Sequence, residues 1–142
     1  MANRIHSAGT YRHEEHTADV AGIYPGMLLE VDSSNQVLPH SSVGDIAEAL
    51  FAEEDALQAN TVDTVYTIEN VVSCILPNKG SEVRALIQAD QDIAIGDKLV
   101  SGGDGTLIER TATTQRVIAY AMEACDLTDS GAVNTLARVR VI

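Results

Sequence analysis

Two stretches of this chain repeat each other, and any fold must accommodate both copies. At a spacing of 70, Ile23 matches Ile93, Gly26 matches Gly96, Leu29 matches Leu99 and Leu38 matches Ile108. Two residues are then inserted in the second copy. At a spacing of 72, Ile46 matches Ile118, Ala47 matches Ala119, Ala49 matches Ala121, Leu50 matches Met122 and Ala52 matches Ala124. A solenoid needs at least three repeats. Two copies, at about 23–52 and 93–124, read instead as related β-units packed into one barrel-like core.

The local signals are those of short strands. Met27–Val31 follows the turn signal Pro25-Gly26, and Gln36–Leu38 returns after the loop Asp32-Ser33-Ser34-Asn35. Asp97–Ser101 runs into Gly102-Gly103-Asp104-Gly105, and Thr106–Glu109 returns. Asp-Gly supplies positive φ at little cost, so this is a hairpin. Further strands are expected at Val71–Leu76, stopped by Pro77, and at Glu82–Ile87. In the ending Ala137-Arg138-Val139-Arg140-Val141-Ile142, Ala137, Val139 and Val141 share one face and both Arg share the other. With four Tyr, one Phe and no Trp, the core must be built from Val, Ile, Leu and Ala. The β-branched members of that set suit a pleated surface. The 142 residues make one domain. A chain of that size buries roughly 68% of the surface its unfolded form exposes and needs no staples.

Asp45–Ala59 is open to two readings. It is rich in helix formers, and Asp45 could cap a helix. A core-facing helix on Ile46, Ala49 and Leu50 would need apolar residues near 53 and 54, where Glu53 and Glu54 stand. The matching run Val117–Ala124 reads as a buried strand. A strand over Ile46–Ala52 is therefore favoured, with a loop or short helix over Asp55–Tyr66. The expected fold is mainly β: a small barrel with at most one or two short helices.

Residues 1–20 are polar, His-rich and without apolar period. They are expected to form an extended arm that lies on a partner, because alone such a segment cannot offset its ordering entropy. Charge is distributed unevenly behind it. Residues 1–12 carry Arg4 and Arg12 and no acid, residues 13–78 carry twelve acids and no Lys or Arg, and residues 79–142 carry nine acids and seven bases. A 66-residue stretch without a cation cannot neutralise phosphates, so nucleic acid is not an expected partner. Docking on an anionic membrane needs a polybasic segment, which is also missing. No apolar run approaches the roughly 20 residues of a membrane span, and the N-terminus lacks the apolar core of a secretory signal.

No catalytic or metal constellation stands out. His13-Glu14-Glu15-His16 spaces its His three apart, where the helical zinc pattern needs four. His6 could join that cluster without improving it, and His40 sits beside Pro39 in a turn. Cys74 and Cys125 lie 51 apart with no CxxC and read as buried apolar side chains. Gly102–Gly105 lacks the Gly-Lys-Ser/Thr ending of a phosphate loop, and Asp90-Gln91-Asp92 lacks the closing Glu of a calcium loop. Glu48, Glu53, Glu54 and Asp55 are the candidates for an acid/base pair, although such runs usually form a solvated face. The expectation is no enzyme, no cofactor and no metal.

The string Ala94-Ile95-Gly96-Asp97-Lys98-Leu99-Val100-Ser101-Gly102-Gly103-Asp104-Gly105-Thr106-Leu107, followed by Arg116–Ala124, resembles the capsid decoration (cement) proteins of tailed bacteriophages. Phe51–Gln58 with Thr61-Val62-Asp63 and Tyr66, and the ending Arg138-Val139-Arg140-Val141, resemble the same family. The likeness runs from about residue 20 to the C-terminus. It implies a β-tulip-like or small-barrel core and a homotrimer on the outer surface of the head. It implies a virion protein, made in the host cytoplasm, that clamps the major capsid protein against the pressure of packaged DNA. The family offers no catalytic residues. Contact residues come from our reading of the arm, with Arg4, Ile5, His6, Tyr11 and Arg12 as anchors. The basic tip would then lie on the capsid, and the acidic span toward solvent or a trimer seam. A tail or spike component with a small barrel is the alternative, and a small-barrel ligand-binding module or enzyme a further one.

Overall fold

The computed structural model describes residues 4–142. The strands are β1 (His6–Ala8), β2 (Tyr11–Ala18), β3 (Leu29–Val31), β4 (Gln36–Pro39), β5 (Phe51–Ala52), β6 (Val71–Pro77), β7 (Glu82–Ile87), β8 (Asp92–Ile93), β9 (Lys98–Ser101), β10 (Leu107–Glu109), β11 (Ala119–Ala121), β12 (Cys125–Asp126) and β13 (Thr135–Val141). Among the described residues, the 3-10 turn Ala56–Gln58 is the only helical element. The mainly-β small-barrel expectation is what the structure shows.

The chain folds as the same five-stranded ring twice. In unit 1, residues 11–77, the strand order is β3-β4-β2-β6-β5, and a bridge between Leu28 and Phe51 closes the ring. In unit 2, residues 82–141, the order is β9-β10-β7-β13-β11, and β11 pairs back onto β9. Both rings contain one parallel pair, β2–β4 and β7–β10, and are otherwise antiparallel. The registers coincide as well. Leu29 pairs with Pro39 and Leu99 with Glu109, each partner 70 residues on. Phe51 pairs with Ile75, and Tyr120 with Arg140. His13 pairs with that same Ile75, and Glu82 with that same Arg140.

Inner positions explain why both sequences adopt this ring. Strand side chains alternate between faces. The inward residues Ala18, Leu29, Val37, Ala52 and Cys74 of unit 1 correspond to Ile87, Leu99, Leu107, Ala121 and Val139 of unit 2, and all ten are buried. The β13 alternation read from sequence holds, with Ala137, Val139 and Val141 buried and Arg138 and Arg140 on the other face. The hairpin over Gly102–Gly105 also forms.

Two expectations are corrected within this plan. The second spacing of the repeat is 69, not 72: Leu50, Phe51 and Ala52 correspond to Ala119, Tyr120 and Ala121. The path from Glu109 to Tyr120 is one residue shorter than that from Pro39 to Phe51, and matches among small aliphatic residues do not fix a register. The strand expected over Ile46–Ala52 is confined to Phe51–Ala52. Upstream, the Ile46 amide donates to Asp45 Oδ1 and the Leu50 amide to Glu48 O, so these amides are bonded locally instead of to a ladder. Asp55 caps the short 3-10 turn by accepting from the Gln58 amide.

The segment expected as an arm over 1–20 is, from His6 onward, built into the rings; its first three residues lie outside the described residues. β1 pairs with β7 of unit 2, and β2 pairs with β6 over seven residues of unit 1. The ordering entropy is met by a full backbone ladder rather than by a partner. Polar residues on β2 conceal this, since only Ala18 at its end is fully buried.

The units join asymmetrically. Leu28, Phe51 and Ile75 point out of unit 1, yet are fully buried and belong to the cluster that fills unit 2. From unit 2, the outward Leu86 and Leu136 pack into the cluster that fills unit 1. The backbones touch here: the Leu28 amide donates to Gly105 O (2.8 Å) and the Leu86 amide to Gly26 O (2.9 Å). Gly26 has φ +91°, and a Cβ there would strike the Leu136 side chain and lie 3.1 Å from Arg84 O.

Candidate functional surface

Of the carboxylates considered for chemistry, Glu54 holds the N-terminal segment instead. Glu54 is buried; its Oε2 accepts the Ile5 amide (3.0 Å) and its Oε1 lies 3.8 Å from Arg4 Nε. Arg84 adds a bond to Arg4 O (3.0 Å). Burial raises the pKa of Glu53, and the charge of Glu54 adds to the effect; His13, Arg4 and His6 oppose it. Its Oε2 is buried without a partner. Glu48 is exposed and Asp55 serves as the cap. The four do not converge on one pocket.

The His-Glu-Glu-His stretch lies within β2, where positions 13 and 16 face opposite ways. His13 bonds Ser73 Oγ (2.8 Å), while His16 bonds Asn35 O (3.3 Å) and lies 3.7 Å from Glu14. His6 bonds Gly9 O and packs against Tyr11, the ring centroids 4.5 Å apart and the planes tilted by 51°. His40 is buried at the junction, bonded to Ser101 Oγ (2.7 Å) and Ile46 O (3.2 Å). Among the described residues, no group of three or more His, Cys, Asp or Glu is placed to hold a metal ion. Both cysteines are free thiols; burial pushes Cys74 up to about 12 and raises Cys125 as well. The Gly102–Gly105 turn packs on unit 1, Gly105 against Met27 and Pro39. A groove at the junction is lined by Tyr24, Met27, Leu86, Val133 and Leu136, with Asp63 as its acid.

Of the five proposed anchors His6 is half-buried, and the other four separate into two groups. Arg4 and Arg12 are exposed, Arg12 lying 3.7 Å from Glu14, and Tyr11 is 41% exposed. Ile5 is fully buried in the core and is unavailable as a contact, which corrects its place in that set.

The surface that sequence reading missed runs across unit 2. Lys98, Tyr120 and Arg140 are cross-strand neighbours on β9, β11 and β13, and all three are exposed. They hold the positions that Leu28, Phe51 and Ile75 hold in unit 1. Arg140 pairs with Glu82 (3.2 Å), which Arg138 also approaches (3.2 Å). Only the true register of the repeat makes this row visible.

The architecture defines a class: a tandem of two five-stranded β-barrels joined by an N-terminal strand. No protein-family model matches the chain, and no curated protein does. Among solved structures it is similar to the crystal structure of the N base of the head fibre gp8.5 of bacteriophage phi29. The TM-score is 0.60 at 13% identity, over 94% of this chain and 95% of that one. At that identity the likeness establishes a shared fold.

Proposed function

We propose that this chain is a structural, non-enzymatic protein of a tailed-phage virion. It attaches to the outer surface of the head as a homotrimer, contacts the major capsid protein and stabilises the shell against the pressure of packaged DNA. The observation that carries this is the fold shared with a head-fibre base along nearly the whole of both chains. The family-like strings around Gly96–Leu107 and Phe51–Gln58 support it from the sequence. The exposed Arg4, Tyr11 and Arg12 are the contact residues in this reading. Many weak contacts engaged together give avidity beyond any one of them.

The test is sedimentation with heads that lack the protein. The chain co-sediments, raises the temperature at which filled heads release DNA, and binds more weakly as the Arg4→Ala/Arg12→Ala double variant. A chain that stays in the supernatant, or binds without changing DNA release, contradicts this function. A second reading follows from the same neighbour: the chain seats a head fibre instead of acting as a plain clamp. Electron microscopy of decorated heads separates the two, since a fibre base carries a projection.

A further inference from the structure

Within the chain, one face of unit 1 docks on a different face of unit 2. The donor face carries Leu28, Phe51 and Ile75; the acceptor face carries Leu86 and Leu136, which are a cross-strand pair. Such a head-to-tail contact between equivalent units always leaves two faces over. Here they are the donor face of unit 2 and the acceptor face of unit 1, and both are open.

The leftover donor face is exposed wherever its counterpart is buried. Pro25, Gly26 and Pro77 are buried in unit 1, whereas Ile95 (69%), Gly96 and Ile142 (43%) are exposed in unit 2. A Cβ on Gly26 meets Leu136, while one on Gly96 meets open space. The centre of that face is the row Lys98–Tyr120–Arg140.

The leftover acceptor face follows from the registers. Leu86 and Leu136 correspond to Thr17 and Val71, which are again a cross-strand pair, and Val71 is 55% exposed. The next pair along, Arg84 and Arg138, corresponds to Glu15 and Ser73. Both faces have therefore changed in step. Inside the chain the apolar row packs into the core of unit 2, and the acceptor pair meets the backbone edge beside that row at Gly26; on the leftover faces a row with two cations, one of them paired with Glu82, stands to meet an acid in a unit whose only cation is Arg12. Complementary charge of this kind selects partner and register.

We infer that copies of this chain associate head-to-tail, the Lys98–Tyr120–Arg140 face of unit 2 docking on the Glu15–Thr17–Val71 face of unit 1 of the next copy. Tyr120 is the centre of the docking row and Val71 the apolar member of the face that it meets. The contact supplies the self-association in the head-attachment reading and rests on that reading only for the number of copies. Solution mass reads the contact, and head sedimentation reads the attachment, so the two fail separately.

The experiment is light scattering coupled to size exclusion on the full chain and two variants, Lys98→Glu/Arg140→Glu and Glu15→Arg/Val71→Arg, with circular dichroism confirming that each folds. The wild type elutes at a multiple of 15.1 kDa. Each variant elutes as a monomer. Mixed, they form a dimer and nothing larger, because each retains the one face that the other lacks. If a variant unfolds, Tyr120→Glu and Thr17→Arg replace the pair. A wild type that stays monomeric at about 1 mM, variants that assemble as the wild type does, or a mixture that stays monomeric would overturn the inference.

Discussion

Unit 1 and unit 2 are one barrel with two surfaces. Their inner positions agree closely enough to keep every strand pairing of the ring, down to the bridge Ile23–Tyr66 and its counterpart Ile93–Cys125. Their outer positions have diverged. Unit 1 carries twelve acids against one cation, unit 2 nine acids against six. The same row is apolar and buried in one and charged and exposed in the other. Ring closure is therefore specified by a small set of inward residues, and the outward ones are free to decide what each unit touches. Glu54 and its counterpart Glu123 show the same freedom: Glu54 accepts the Ile5 amide of the N-terminal strand, while Glu123 accepts the Arg138 amide of its own unit (2.6 Å).

Four changes break or sharpen this contrast, in decreasing size. Removing residues 1–18 deletes β2 from ring 1 and Ile5 from the core, while all five strands of ring 2 remain. Cooperative unfolding should be lost, as followed by circular dichroism; a truncated chain that melts like the whole would contradict the built-in strand. Gly26→Ala meets both a positive φ and the side chain of Leu136, whereas Gly96→Ala meets the positive φ alone. The first should cost about 3 kcal/mol or more and the second about 1–2 kcal/mol in urea unfolding. Glu54→Gln retains an acceptor for the Ile5 amide but removes the charge facing Arg4, and should cost about 1–2 kcal/mol. Glu54→Ala, which orphans that amide, should cost more.

Smallest is Glu53→Met, which installs the residue found at the matching position, Met122. Burial raises the pKa of Glu53 above its ordinary 4.5, so the fold favours the protonated acid. Stability from that protonated form is present below the unfolded value and is lost as pH rises through the folded one. The variant should therefore match the wild type near pH 4 and melt slightly higher at pH 7. Equal melting gaps at both pH values would show that Glu53 is not disfavoured as a charge.

Much of the fold was legible from the chain. The β13 alternation, the hairpin at Gly102–Gly105 and the first 70-residue spacing all reflect local patterns, period two or turn glycine. What could not be read depended on distant partners. Tyr11–Ala18 has no apolar alternation, and its order comes from β6, whose residues lie up to 66 positions away. Ile5 looks like an anchor on a polar tip until Glu54, 49 residues on, is seen to hold it. The outer row of unit 2 contains ordinary surface residues, and it acquires meaning only against Leu28, Phe51 and Ile75. The spacing of His13 and His16 invites comparison with a helical pattern, whereas both lie on β2, where the strand turns them to opposite faces.

The central claim is that one row serves as core in unit 1 and as surface in unit 2. Matched truncations at its midpoint test it most directly. Phe51→Ala and Tyr120→Ala are compared by urea unfolding at protein concentrations low enough to keep the chain monomeric. The expected loss is about 3–5 kcal/mol for Phe51→Ala and under about 1 kcal/mol for Tyr120→Ala. Equal losses at the two positions would contradict the claim.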